Sequence, residues 1–91
     1  MIYKVEYSKA AKKTLSKWKK SSPRLFKKAV EVLDDIMDHP RTGIGHPEPL
    51  VKGKDITYSR RITGKDRIIY DILDERILVL VVQVEEHYSD K

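Results

Sequence analysis

Cysteine is absent from this chain of 91 residues. That excludes disulfides and thiolate chemistry, and it fits a reducing compartment. Long apolar runs are missing too. The longest, "ILVLVV" at 77–82, falls far short of the roughly 20 residues a membrane-spanning helix needs. The N-terminal "MIYKVEYSKAAKK" lacks the charged, apolar and small-residue order of a secretory signal, so a cytoplasmic location is expected. Acidic residues are absent from Lys9 to Lys28, where eight lysines and Arg24 stand. Such a field attracts polyanions, nucleic acid among them, although a solvated helix face would look the same. Glycine and proline are scarce, four of each, but three of each lie between residues 39 and 55.

What is present describes one small soluble domain covering residues 1–91. "IYKVEYS" sets Ile2, Lys4 and Glu6 against Tyr3, Val5 and Tyr7, the period of two expected of a strand. Ser8 is a suitable N-cap for a helix over about 9–20, with an apolar stripe of Ala11, Leu15 and Trp18. Ser22 and Pro23 start a second helix, to about Asp38, with Leu25, Phe26, Ala29, Val30, Leu33, Ile36 and Met37 on one side. Pro40 stops it. Residues 39–55 read as a long loop, of the kind that is usually functional. Three strands follow, "ITYSRRI", "RIIYDIL" and "ILVLVVQV", joined by connections short enough for hairpins. The last is apolar on both faces and is expected to be central. The fold class is therefore α+β, ordered β-α-α-β-β-β, with two helices on one face of a small, mainly antiparallel sheet.

The other sheet face is left open. Alternation along the strands places Ser59 and Arg61 there, with Arg67, Ile69 and Asp71 from the next strand, so that Arg61 and Arg67 converge across a hairpin. Within "GHPEPL" (45–50) two prolines stiffen the backbone around Glu48, so the segment cannot be helix or a central strand. His87 and Tyr88 lie beyond the last strand. The three histidines, at 39, 46 and 87, have no metal-ligand spacing. There is also no glycine-rich phosphate loop and no serine elbow. Acid, guanidinium and imidazole remain. That set suits metal-free RNA cleavage, with Glu as base, Arg as a fork for phosphoryl oxygens, His as acid and Tyr88 either stacking a base or assisting proton transfer. Each residue also has a plainer reading: a solvated loop acid, edge-strand arginines paired with Asp71, and an inert tail histidine.

The run "HPEPL", then "SRRI", then "DRIIYDI", then "HY" near the C-terminus resembles the YoeB/Txe family of bacterial toxins in the RelE superfamily, in order and separation. The resemblance covers essentially the whole chain. It implies a microbial-RNase/RelE-like fold and a type II toxin. Such a toxin would cut mRNA in the A site of the 70S ribosome without a cofactor or metal, and would be neutralised by a YefM/Axe-like antitoxin. On matching positions Glu48 is the general base, Arg67 the phosphate-stabilising arginine, His87 the general acid and Tyr88 the aromatic after it. Arg61 and its neighbour Arg60 would contact RNA. Lys9, Lys12, Lys13, Lys17 and Lys20 would grip ribosomal RNA, and a toxin homodimer fits the same pattern.

The chain departs from the family at three places. Val51 stands where the family has lysine after PEPL, leaving Lys52 to reach the phosphate. Thr57 replaces a glycine before SRRI. Glu85 and Glu86 precede His-Tyr, where they would favour imidazolium at His87. The other readings are a non-catalytic RelE- or ParE-like toxin and an RNA-binding module acting on another target.

Overall fold

The computed structural model describes residues 2–50 and 56–86. The elements follow the expected order with two additions, the strand β2 and a short 3-10 turn (Asp74–Arg76) between the last two strands: β1 (Lys4–Tyr7), α1 (Lys9–Ser21), α2 (Pro23–Asp38), β2 (Glu48–Pro49), β3 (Thr57–Arg61), β4 (Arg67–Leu73) and β5 (Leu78–Glu85). Two helices pack on a mixed five-stranded sheet of order β1-β5-β4-β3-β2. β5 runs parallel to β1 and antiparallel to β4. It is flanked by a strand on each side, in keeping with its apolar run from Leu78 to Val82.

Ser8 ties the first corner together. Its Oγ accepts the Ala11 N–H at 3.1 Å, capping α1, and donates to the Val82 carbonyl at 2.5 Å. Ser22 occupies the single-residue break between the helices, but its side chain makes no cap bond; Pro23 at the first helical position starts α2. The inner face of α2 is Ala29, Val32, Leu33 and Ile36. Val30, expected on that face, is 37% exposed, and Val32 takes its place at 1%. Val32 is three residues after Ala29 and four before Ile36, which is helical spacing; Val30 is one residue off that line.

Ala11 and Trp18 of α1 and the α2 set close over Ile62, Ile68, Tyr70, Ile72, Val79, Val81 and Val84. A bulge interrupts the β4–β5 ladder. Ile69 faces Gln83 and Tyr70 faces Val81, leaving Val82 as the extra residue. Alternation therefore changes phase. Val79 and Val81 point under the helices before the bulge and Val84 does so after it, while Gln83 and Glu85 turn to the open face.

Residues 39–50 are not a bare connection. Glu48 and Pro49 add an edge strand, pairing Glu48 with Ser59 and Pro49 with Tyr58. Pro49 has no N–H to give, and an edge is where a strand tolerates that. Before it, the backbone turns left-handed at Gly43, Gly45 and His46. A Cβ on Gly45 would sit 2.6 Å from the Arg61 carbonyl oxygen, so the loop is laid closely against β3.

Candidate active site on the open sheet face

Two rows of side chains cross the open face. The register sets Glu48, Ser59, Ile69 and Gln83 in one row, and Arg61, Arg67 and Glu85 in the next. Directly opposed residues of an antiparallel pair project from the same face. The strand pairing thus brings Glu48, Arg61 and Arg67 onto one surface patch. Arg61 and Glu48 are exposed; Arg67 lies nearly flush at 9% exposure, its Nη1 making a long 3.5 Å contact to the Ser59 hydroxyl. Arg61 and Arg67 are like charges placed directly across a hairpin. That arrangement is unfavourable by itself, and an anion laid between the guanidiniums would relieve it. Glu85 faces Arg67 from the other side, through the bulge at Val82.

Arg60 departs from expectation. The resemblance implies an RNA contact for it, yet it points under the sheet and is 0% exposed. Its Nε donates to the Tyr70 hydroxyl at 3.0 Å and its Nη1 to Asp35 Oδ2 at 2.5 Å and the Ile44 carbonyl at 3.2 Å. Its Nη2 donates to the His39 carbonyl and, at 2.6 Å, to that of Thr42. Alternation forces this, because neighbours on a strand face opposite ways and Arg61 is outside. No surface is left on Arg60 for RNA.

Asp35 is the anionic partner. Burial pushes its carboxyl up, but the Arg60 guanidinium, the Ile44 N–H and His39 outweigh this and hold it below the ordinary carboxylate range. Because the folded-state pKa is the lower one, this stabilisation is present above the unfolded value of about 3.9 and is lost as pH falls through the folded value. Melting temperature should therefore drop as pH is lowered from about 5 to 2, and Asp35→Asn should give a shallower acid limb from a lower start. Scanning calorimetry across that range checks it.

A second ionic cluster braces the start of the loop from outside. Arg41 forks onto Asp74 at 2.6 and 3.2 Å, and the Tyr3 hydroxyl donates to the same carboxylate at 2.6 Å. The Arg41 and Tyr3 hydrogen bonds lower the Asp74 pKa.

On the helical side, Lys9, Lys12, Lys13 and Lys20 are exposed on α1 as expected. Lys17 differs. Its Nζ lies 2.9 Å from Glu86, whose carboxylate also accepts the Trp18 indole N–H at 2.9 Å. Lys17 is thus engaged within the fold, and Glu86 turns towards α1. Lys52, His87 and Tyr88 lie outside the described residues.

A model of the YoeB-like toxins of bacterial type II toxin–antitoxin systems matches residues 7–88. Toxin YoeB of Escherichia coli K12 is 36% identical over 62 residues, 68% of this chain and 74% of that one. A YoeB dimer from Staphylococcus aureus superposes with a TM-score of 0.83 at 26% identity, covering 97% of this chain and all of the other. A heterotetrameric YoeB–YefM toxin–antitoxin complex from the same organism gives 0.78 at 25% identity, covering 97% and 100%. A domain of two helices on a mixed sheet, its open face carrying acid and arginines in register, thus belongs to the YoeB-like toxins of bacterial type II toxin–antitoxin systems.

Proposed function

We propose that the open face cleaves messenger RNA in the A site of the ribosome. The observation that carries this reading is the register: Arg61 lies across from Arg67, with Glu48 one row away on the same face. Glu48 removes the proton of a ribose 2′-hydroxyl, whose oxygen attacks the adjacent phosphorus. Arg61 and Arg67 hold the phosphoryl oxygens as negative charge gathers on them. His87 protonates the departing 5′-oxygen, and Tyr88 stacks a neighbouring base. The bond formed is 2′-O–P and the bond broken is P–O5′. The products are a 2′,3′-cyclic phosphate and a 5′-hydroxyl, with no metal in the path. Glu85 opposite Arg67 gives way to the phosphate as RNA enters.

The α1 lysines supply attraction to ribosomal RNA, weakened by salt as phosphate contacts are. An antitoxin of the YefM type covers the same open face; the S. aureus relative is itself solved in a YoeB–YefM complex and as a dimer, which supports an antitoxin partner and self-association here. The working place of such a protein is the bacterial cytoplasm.

Primer extension on an mRNA translated in a bacterial extract tests the reading. New 5′ ends are expected at ribosome-occupied codons with the wild-type chain. They should be absent without ribosomes and absent with His87→Ala. Stalled translation without cuts would assign the protein to a non-catalytic toxin class instead.

A further inference from the structure

We propose that Arg60 is a positioning residue for Glu48, acting through the backbone from the opposite face of the sheet. This rests on the nuclease reading of the open face. The guanidinium holds three loop carbonyls, those of His39, Thr42 and Ile44, together with Asp35 and Tyr70. The Asp35 carboxylate accepts the Ile44 N–H at 3.1 Å, and the Tyr70 hydroxyl donates to the Pro40 carbonyl at 2.7 Å. Every turn of the loop from 39 to 44 is thereby fastened to one buried fork.

The fastening continues to the site. Arg61, the next residue of β3, donates its N–H to the Gly45 carbonyl at 2.7 Å. His46 then takes a left-handed turn at φ 50°, Pro47 fixes the next φ, and Glu48 pairs with Ser59. β3 thus acts with both faces. Residue 60, pointing in, sets the loop; residues 59 and 61, pointing out, share the face onto which the loop delivers Glu48. Space is tight along the way, since a Cβ on Gly43 would lie 1.9 Å from Asp35 Oδ2. A two-residue edge strand has too few ladder bonds to hold its own register, so the position of Glu48 depends on this post. Among the described residues no buried side-chain nitrogen or oxygen lacks a partner; the network is complete as it stands.

A general base displaced by about 1 Å costs on the order of 10²-fold in rate without loss of binding. The test compares wild type, Arg60→Lys, Asp35→Asn and Tyr70→Phe, each checked for cooperative melting. Lysine keeps the charge but loses the five-donor fork. The two partner variants leave Arg60 in place and guard against a variant that does not fold. The readouts are kcat and KM for cleavage on programmed ribosomes, the pH profile of kcat, and the backbone amide shifts of Glu48 and Ser59. The expected result is kcat down roughly 10-fold or more in folded variants, with KM within about threefold and the apparent pKa values of the profile unmoved. The Glu48 and Ser59 amides should move in step. Wild-type kcat in variants that melt lower would overturn the proposal and leave Arg60 a stability element. So would a change confined to KM. If the wild type itself cuts nothing, the nuclease reading has failed, and the amide shifts decide the positioning alone: unmoved Glu48 and Ser59 overturn it.

Discussion

Glu48→Gln is expected to reduce cleavage on the ribosome by about 10²–10⁴-fold, the usual cost of losing a general base, with ribosome binding and fold intact. The residue is exposed on an edge strand, and glutamine has the same length and shape. Surface substitutions of that kind change stability by no more than about 0.5 kcal/mol. Neither arginine of the patch is touched, so attraction for phosphate remains, slightly strengthened by the loss of one negative charge. A fall in kcat without a rise in KM is the signature of a group acting in the transition state. Single-turnover cleavage on programmed ribosomes, with binding measured separately, makes the distinction. Arg67→Ala would be harder to interpret, because it also strips Ser59 and Glu85 of their neighbour.

Trp18→Ala carries the largest expected effect on stability. Trp18 is the largest of the fully buried side chains, 1% exposed, and joins α1 to the far end of β5 through its bond to Glu86. Truncating a buried tryptophan costs about 3–5 kcal/mol, against about 5–15 kcal/mol of stability for a whole domain. The variant should therefore lose a large share of its stability and melt well below the wild type. Trp18→Phe separates the two contributions, since it keeps most of the buried ring and loses only the hydrogen bond, at about 0.5–1.5 kcal/mol plus any repacking. Urea denaturation followed by far-ultraviolet circular dichroism measures both. Fluorescence would not serve, as Trp18 is the only tryptophan. The Lys17–Glu86 pair beside it is largely exposed on the lysine side and adds little.

The elements with local causes were legible in the sequence. Ser8, Ser22 and Pro23 mark the helix starts, Pro40 marks the end of α2, and alternation puts Arg61 and Arg67 on one face. The misses arise where a long-range partner decides. Nothing in "HPEPL" announces a strand, because two residues carry no period and both neighbours of Glu48 are prolines; β3 makes it one. The bulge at Val82 is hidden inside a run apolar on both faces, and it decides that Glu85 faces Arg67 while Glu86 turns to α1. Val30 and Val32 have the same composition and differ only in angle around α2.

Arg60 is the most instructive case. Alternation alone places it inside once Arg61 is outside, but arginine is rarely buried unless it is paired. The partner that resolves the conflict, Asp35, lies 25 residues earlier between Leu33 and Ile36 on the inner side of α2. A lone carboxylate on an apolar helix face was the available signal.

The measurement that tests the central claim most directly is the chemistry of the ends left on an mRNA cut during translation. Attack by the neighbouring 2′-hydroxyl predicts a 2′,3′-cyclic phosphate on the upstream fragment and a 5′-hydroxyl on the downstream one, both missing with Glu48→Gln. Fragments ending in 3′-hydroxyl and 5′-phosphate, or cuts that persist undiminished in Glu48→Gln, would contradict the account of this face as an acid–base site for RNA.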